Sequence, residues 1–245
     1  MAILGNRHLQ VTECEDRKII FKLKTKSKKM NVVKIRRGPI EMLGQIGMNE
    51  LIEVIKNEKF FKGVNILGLQ ELLRSETNKK TREIIKEKFP AFITSGIYSD
   101  NIRGVNTLGH NDSFVFDFDS LTETDIKELL QKSQQWKPCW VAFRSPGGEG
   151  VKLVVRTKGA TVKNHVAVWL SIVEQMKLHL GEFKVDQSGK NINRLCFIPF
   201  DPEVIYRENV TAISVDDLKM VYPDFFSGRT KRINKWKMAT TTPLF

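Results

Sequence analysis

Residues 113–121 read SFVFDFDSL. Side chains alternate faces along a strand, so Phe114, Phe116 and Phe118 share one face, and Val115, Asp117 and Asp119 share the other. The phenylalanine face is expected to be the buried one. Two positions along a strand span roughly 7 Å between Cα atoms, which lets both carboxylates lean toward one point. Like charges set side by side repel unless a cation lies between them. An aspartate pair at a strand end can supply ligands to two divalent ions about 3.5–4 Å apart. Mg2+ takes such carboxylates together with phosphate oxygens. The pair also fits two exposed residues at a strand end, with Asp119 or Ser120 opening the next helix.

Two further stretches add to the chemistry. In FRSPGGEGVKLVV (143–155), a glycine-rich turn joins two strands. Glycine lets backbone approach a ligand closely, and backbone N–H groups in such a turn can form a nest for phosphate oxygens. Ser145, Gly147, Gly148 and Gly150 lie in this turn, with Arg144 at its entry and Lys152 at its exit as cations for a triphosphate. The turn does not fit the phosphate-binding loop pattern, because no Gly-Lys-Ser/Thr follows; an ordinary hairpin turn fits as well. In FKVDQSGKNINRLCFIPF (183–200), Asp186 ends a short apolar run, and Arg194 follows a polar loop that contains Lys190. Asp186 offers a third carboxylate for a metal site and Arg194 a phosphate contact; a turn residue and a surface arginine are the plainer reading.

The elements that must position these groups alternate between strand and helix patterns. Residues 19–35 read as a hairpin with the basic turn KTKSKK. Residues 49–57 and 69–89 have helical periodicity, the second broken near Asn78 and ended by Pro90. Residues 92–113 read as a strand and an irregular turn or hairpin. A helix over 121–135 with Thr122 or Ser120 as its cap follows. Strands are expected over 138–145 and 151–157, a long helix over 162–181 with Gly181 past its end, strands over 183–186 and 195–202, and a capped short helix from Ser214. Mixed elements with hairpin-like pairs give an α+β class with a mixed or antiparallel sheet.

Composition narrows the function classes. The chain has 245 residues and a net charge of +12, with a pI near 9.6, which favours a polyanionic partner such as nucleic acid. Residues 1–89 carry 20 Lys and Arg against 11 Asp and Glu. Cys14, Cys139 and Cys196 are widely spaced and odd in number, which argues against a disulfide framework or a cysteine zinc site. The four histidines form no metal-binding pair. No apolar run approaches the ~18 residues of a membrane span, and the N-terminus lacks a secretory core. A cytoplasmic protein without a membrane partner is expected.

The order of these motifs is similar to a known family. A strand ending in DFD, a helix, FRSPGGEGVK between strands, a long helix and then VDQSGKNINRLCFIPFDPEV resembles the primase domain at the N-terminus of virulence-associated-protein-E-like replication proteins. That domain belongs to the archaeo-eukaryotic primase (primase-polymerase) superfamily. The resemblance covers roughly residues 85–206. It implies a two-lobed core, an αβ unit and an RRM-like unit, with the active site between them. It places the first-motif aspartates on Asp117 and Asp119 and the third-motif aspartate on Asp186, as ligands of two Mg2+ or Mn2+ ions. The second motif usually carries a histidine in Ser-x-His form. Lys152 stands there, as the Gly-x-Lys of this branch has it, and Glu149 stands where the branch often has lysine. Nucleoside triphosphates would be the substrate, bound by Arg144, Ser145, Gly147, Gly148, Gly150, Lys152, Lys190 and Arg194.

The expected organisation is a basic N-terminal αβ segment over 1–89, a catalytic core over 90–228 and a basic tail over 229–245. Lys24, Lys26, Lys28, Lys29, Arg36 and Arg37, with Lys231 and Arg232, are candidates to widen the footprint of single-stranded DNA. Trp136, Trp140 and Trp236 are candidates for base stacking. Larger relatives carry a helicase-like region after this domain, so a replicative helicase in trans is an expected partner. The implied activity is primase or primase-polymerase, in mobile-element or phage replication. The alternative is a single-stranded-DNA-binding module that has kept the fold and shed its chemistry; a metal-dependent nuclease ranks last.

Overall fold

In the computed structural model, which describes residues 30–35, 40–98 and 107–227, the chain begins with strands β1 (Met30–Ile35) and β2 (Ile40–Ile46) and helix α1 (Met48–Asn57). A small ribbon of β3 (Phe60–Phe61) and β4 (Val64–Asn65) leads into α2 (Ile66–Ser75) and α3 (Lys79–Lys86). Asn78 breaks this helical stretch, because its side chain accepts from the backbone N–H groups of Lys80 and Thr81 and starts α3 as an N-cap. Then come β5 (Pro90–Ile93) and the paired β6 (Gly96–Ile97) and β7 (Gly109–His110), followed by β8 (Ser113–Asp119).

Helix α4 (Glu123–Gln135) follows β8. Ser120 turns the chain there with φ +59, and Thr122 and Asp125 close a reciprocal capping box. Strands β9 (Cys139–Arg144) and β10 (Gly150–Lys158) form the hairpin around the glycine turn, and α5 (His165–Leu180) is the longest helix of the described residues. A 3-10 turn (Gln187–Lys190), β11 (Leu195–Phe197), β12 (Ile205–Tyr206), β13 (Ile213–Ser214), α6 (Val215–Val221) and α7 (Pro223–Phe226) complete the described chain.

Two sheets organise these elements. The first runs β11-β5-β1-β2, all antiparallel. In the second, β10 is flanked by β9 and β8, with β12 beyond β9, again antiparallel; short β13 joins the end of β10 in parallel. The class is therefore α+β.

The second sheet is covered on both faces. Phe114, Phe116 and Phe118 pack with Leu129 of α4, Trp169 and Ile172 of α5 and Leu218 of α6. On the opposite face, Val115, Val141, Phe143 and Val154 pack with Met30 and Ile46 of the first sheet, with Phe92 and Cys196, and with Leu51, Leu73 and Ile85 of α1, α2 and α3. On the face that carries the aspartates, Val115 thus lies against the N-terminal elements and Asp117 is buried, while Asp119 at the strand end is exposed.

Of the hairpin expected over 19–35, residues 19–29 lie outside the described residues, and β1 (30–35) has β2 on one side and β5 on the other. Residues 183–186 form no strand: Asp186 N donates 2.8 Å to Asp117 O, and the chain then folds into the 3-10 turn. The Trp136 ring is buried at the end of α4 beside His179, so it is not free to stack on a base, and the Arg156 guanidinium lies 4.7 Å over one face of Trp140. Among the described residues, no helix is long and apolar enough to cross a membrane.

Candidate metal and phosphate site

β8 carries the acids along its pairing with β10. Asp117 stands opposite Lys152, and Asp119 stands opposite Gly150 at the strand end. The Asp186 N–H bond to the Asp117 carbonyl then draws the 183–186 segment alongside β8. One oxygen from each of Asp117, Asp119 and Asp186 lies within 4.8 Å of the others. The three carboxylates, far apart in sequence, form one cluster.

Their environments differ. Asp117 is 6% exposed; Lys152 Nζ pairs with its Oδ2, and Arg194 Nη2 lies 3.6 Å from the same oxygen. Its other oxygen, Oδ1, is buried with no hydrogen-bond partner. A buried carboxylate oxygen with nothing to accept from is costly, and a cation bound at the cluster would satisfy it. The donor set, three carboxylates with one oxygen each within 4.8 Å of the others, fits a hard divalent ion.

Asp186 is held by its own turn. Its Oδ1 accepts 3.0 Å from Ser188 N, its Oδ2 accepts from Ser188 Oγ, and Arg194 Nη2 donates 3.0 Å to Oδ2. Burial would raise its pKa, but the Ser188 hydrogen bonds and the charges of Arg194 and Lys152 outweigh it and hold the carboxyl below the ordinary carboxylate value. Asp119 goes the other way: burial raises it, and Asp117 and Asp186 raise it further, against the opposing charges of Lys152 and Lys86. It carries the unrelieved repulsion of the cluster.

The glycine turn closes tightly beside the acids. Ser145 N donates 2.8 Å to Gly150 O, and Gly148 N donates 2.9 Å to Ser145 O. A Cβ at Gly150 would stand 2.5 Å from the Phe118 carbonyl and 3.2 Å from Asp119 Oδ1, so glycine there is what lets β10 lie close to the acid end of β8. Arg144 pairs with Glu123 at the start of α4, and its backbone N donates 2.8 Å to Asp201 Oδ2. Glu149 is turned outward, 75% exposed, with Oε2 3.6 Å from Arg82 Nη2, away from any phosphate on the acid side.

The cluster therefore gathers Asp117, Asp119, Asp186, Lys152 and Arg194, with Ser145, Gly147, Gly148 and Gly150 at its rim. Lys190 is held elsewhere, its ammonium 5.5 Å over the Trp169 ring, on the phenylalanine side of β8. The candidate nucleic-acid contacts Lys24, Lys26, Lys28, Lys29, Arg36, Arg37, Lys231 and Arg232 lie outside the described residues, as does Trp236. Sequence reasoning missed Arg74, Arg82 and Lys86. The first two sit against the glycine turn, and the charge of the third is felt at Asp119. Burial pushes the Cys139 and Cys196 thiols up to about 12, so neither is a thiolate nucleophile at neutral pH.

The family model described as BT4734-like, N-terminal domain, matches residues 84–206, half of the chain. That span runs from α3 to β12 and contains all three acids, the glycine turn and Arg194. No curated protein matches the chain, and no solved structure matches it.

Proposed function

The chain belongs to the family described as BT4734-like, N-terminal domain, and for it we propose template-directed nucleotidyl transfer on single-stranded DNA, the activity of a primase or primase-polymerase. One observation carries this reading: Asp117, Asp119 and Asp186 each bring one carboxylate oxygen within 4.8 Å of the others, beside two cations and a glycine turn. The motif order that resembles the virulence-associated-protein-E-like primase domain supports it, as does the net charge of +12. The finer architecture belongs to the same proposal: an αβ unit and an RRM-like unit with the acids between them.

In this reading Asp117, Asp119 and Asp186 would hold two divalent ions, Mg2+ or Mn2+, which would supply Lewis acidity for the attacking 3′-hydroxyl and the leaving pyrophosphate. The 3′-oxygen forms a bond to the α-phosphorus, the bond to the β-phosphate bridging oxygen breaks, and the hydroxyl proton passes to solvent. Asp186, kept ionised by Ser188 and Arg194, stays a ligand at neutral pH. Lys152 and Arg194 neutralise phosphate charge as it builds. Lys152 pairs with Asp117, and its ammonium would be available to a phosphate oxygen of the nucleotide once that carboxylate was neutralised by a bound cation. The glycine turn sets the triphosphate against the strand end. A replicative helicase acting in trans and replication of a mobile element or phage fit this activity.

One observation favours a second reading. Lys152 pairs with Asp117 internally, which neutralises a ligand without any metal; a binding module that has shed catalysis would keep such a pair. Incorporation of labelled rNTPs or dNTPs on single-stranded DNA with Mg2+ or Mn2+ separates the two. Wild-type protein is expected to make template-dependent product, and Asp117→Asn is expected to make none while still binding DNA, since phosphate affinity comes from Lys and Arg. Salt-sensitive DNA binding by wild-type protein without product under any metal or nucleotide would overturn the enzyme reading in favour of the binding module.

A further inference from the structure

Two arginines reach the glycine turn from α2 and α3, upstream of the family-matched span. Arg74 lies in the last turn of α2 and is exposed. Its Nε donates 3.1 Å to Pro146 O. Gly148 has φ +83, and a Cβ there would lie 3.2 Å from Arg74 Nε, so the guanidinium rests directly on the turn. Arg74 Nη1 and Nη2 have no partner among the described residues.

Arg82 stands behind it. Its Nη1 donates 2.8 Å to Leu73 O and 2.9 Å to Glu76 O at the end of α2. Its Nη2 lies 3.6 Å from Glu149 Oε2 and 3.4 Å from where a Gly147 Cβ would be. Arg82 is thus occupied as a strut: it ties α3 to the carbonyl end of α2 and holds Glu149 aside. Arg74 is anchored at one nitrogen and open at two. A guanidinium fixed at Nε presents its Nη pair as a ready fork for two oxygens of one phosphate. The cost of ordering that side chain is already met by the Pro146 contact.

We propose that Arg74, seated on the Pro146–Gly148 part of the glycine turn that borders the acid site, is a phosphate-binding residue. Assigning the phosphate to a nucleotide or a nucleic-acid strand rests on the nucleotidyl-transfer reading; the fork itself does not. Two sources share this chemistry, the triphosphate of a nucleotide and a phosphodiester of the strand.

Binding without turnover tests it. Affinity for an oligothymidylate is measured by fluorescence anisotropy in EDTA across a salt series, and affinity for a nucleoside triphosphate by calorimetry with Mg2+. The proteins are wild type, Arg74→Ala, Arg74→Lys and Arg74→Gln, the last able to keep a side-chain N–H near Pro146 O. If the strand is the source, Arg74→Ala and Arg74→Gln lower DNA affinity about tenfold and cut the salt slope by about 0.7, one single-strand phosphate. Arg74→Lys restores the slope but not the full affinity. If the triphosphate is the source, the calorimetric affinity falls about tenfold and the slope stays. Unchanged affinities and slope in a folded Arg74→Gln protein overturn the proposal and leave Arg74 a clamp on the turn. Loss of phosphate binding in a protein whose wild type makes no product would sink nucleotidyl transfer and leave this inference standing.

Discussion

Replacing Lys152 by Met removes one half of a buried ion pair. The two side chains are 8% and 7% exposed, so water screens the pair little. Deleting one partner of such a pair typically costs about 3–5 kcal/mol, because the other charge is stranded. One effect limits the loss here. Arg194 Nη2 remains 3.6 Å from the same Asp117 oxygen. The expected loss is about 2–4 kcal/mol, or roughly 4–16 °C in melting temperature for a chain of this size. Urea denaturation at pH 7 in EDTA measures it. Asp117→Asn in the Lys152→Met background removes the stranded charge and is expected to recover most of the loss, a coupling of about 2 kcal/mol in the double-mutant cycle. Added Mn2+ is expected to stabilise Lys152→Met more than wild type, since the ion replaces the missing cation. A loss below about 0.5 kcal/mol, or a double variant as weak as the sum of the two singles, would refute the view that Lys152 is the counter-ion of Asp117.

Two further predictions concern the supports of the site. Gly150→Ala drives a Cβ to 2.5 Å from the Phe118 carbonyl; it is expected to cost about 1–3 kcal/mol in chemical denaturation and to weaken metal-induced stabilisation, because it spreads β10 from β8 at Asp119. His165 has its pKa lowered to about 4 from an ordinary 6.5, first by burial and then by His110, against the Gly189 and Lys190 backbone. The folded state therefore prefers the neutral ring, and the unfolded chain binds more protons between these values. Stability should be full above pH 6.5 and fall by about 3 kcal/mol as pH drops to about 4. His165→Phe is expected to flatten that part of the profile; an unchanged acid slope would assign it to other groups.

Much of the site was legible because it is written locally. The Phe-x-Phe-x-Phe alternation fixed which face of β8 would hold the acids, and Thr122 or Ser120 marked the start of α4, where Thr122 proves to be the cap. Asn78 announced the break between α2 and α3. What was illegible depends on partners distant in sequence. Val115 and Asp117 are buried, which nothing in residues 113–119 foretells, because Leu73, Ile85 and Phe92, which pack with Val115, come from distant parts of the chain. Lys152 read as a free cation until the register of β10 set it opposite Asp117. The 183–186 run looked like a strand by its apolar residues, yet a single hydrogen bond to β8 and the Asp186 turn decide its path. Arg74 and Arg82 carried no motif; their place comes from the packing of two helices on a distant hairpin.

The first sheet is stitched from three remote pieces of chain: β1 and β2 before residue 47, β5 at 90–93 and β11 at 195–197. A fragment cut to the matched span 84–206 would keep β5 and β11 but lose β1, the other neighbour of β5. It would present β5 as a bare edge and uncover Phe92, Val115, Phe143 and Val154, which Met30, Ile46, Leu51 and Leu73 now cover. An unpaired edge beside bared apolar side chains is a template for association with other chains. Such a fragment is expected to aggregate when expressed alone, and a well-behaved minimal unit would have to begin at or before Met30.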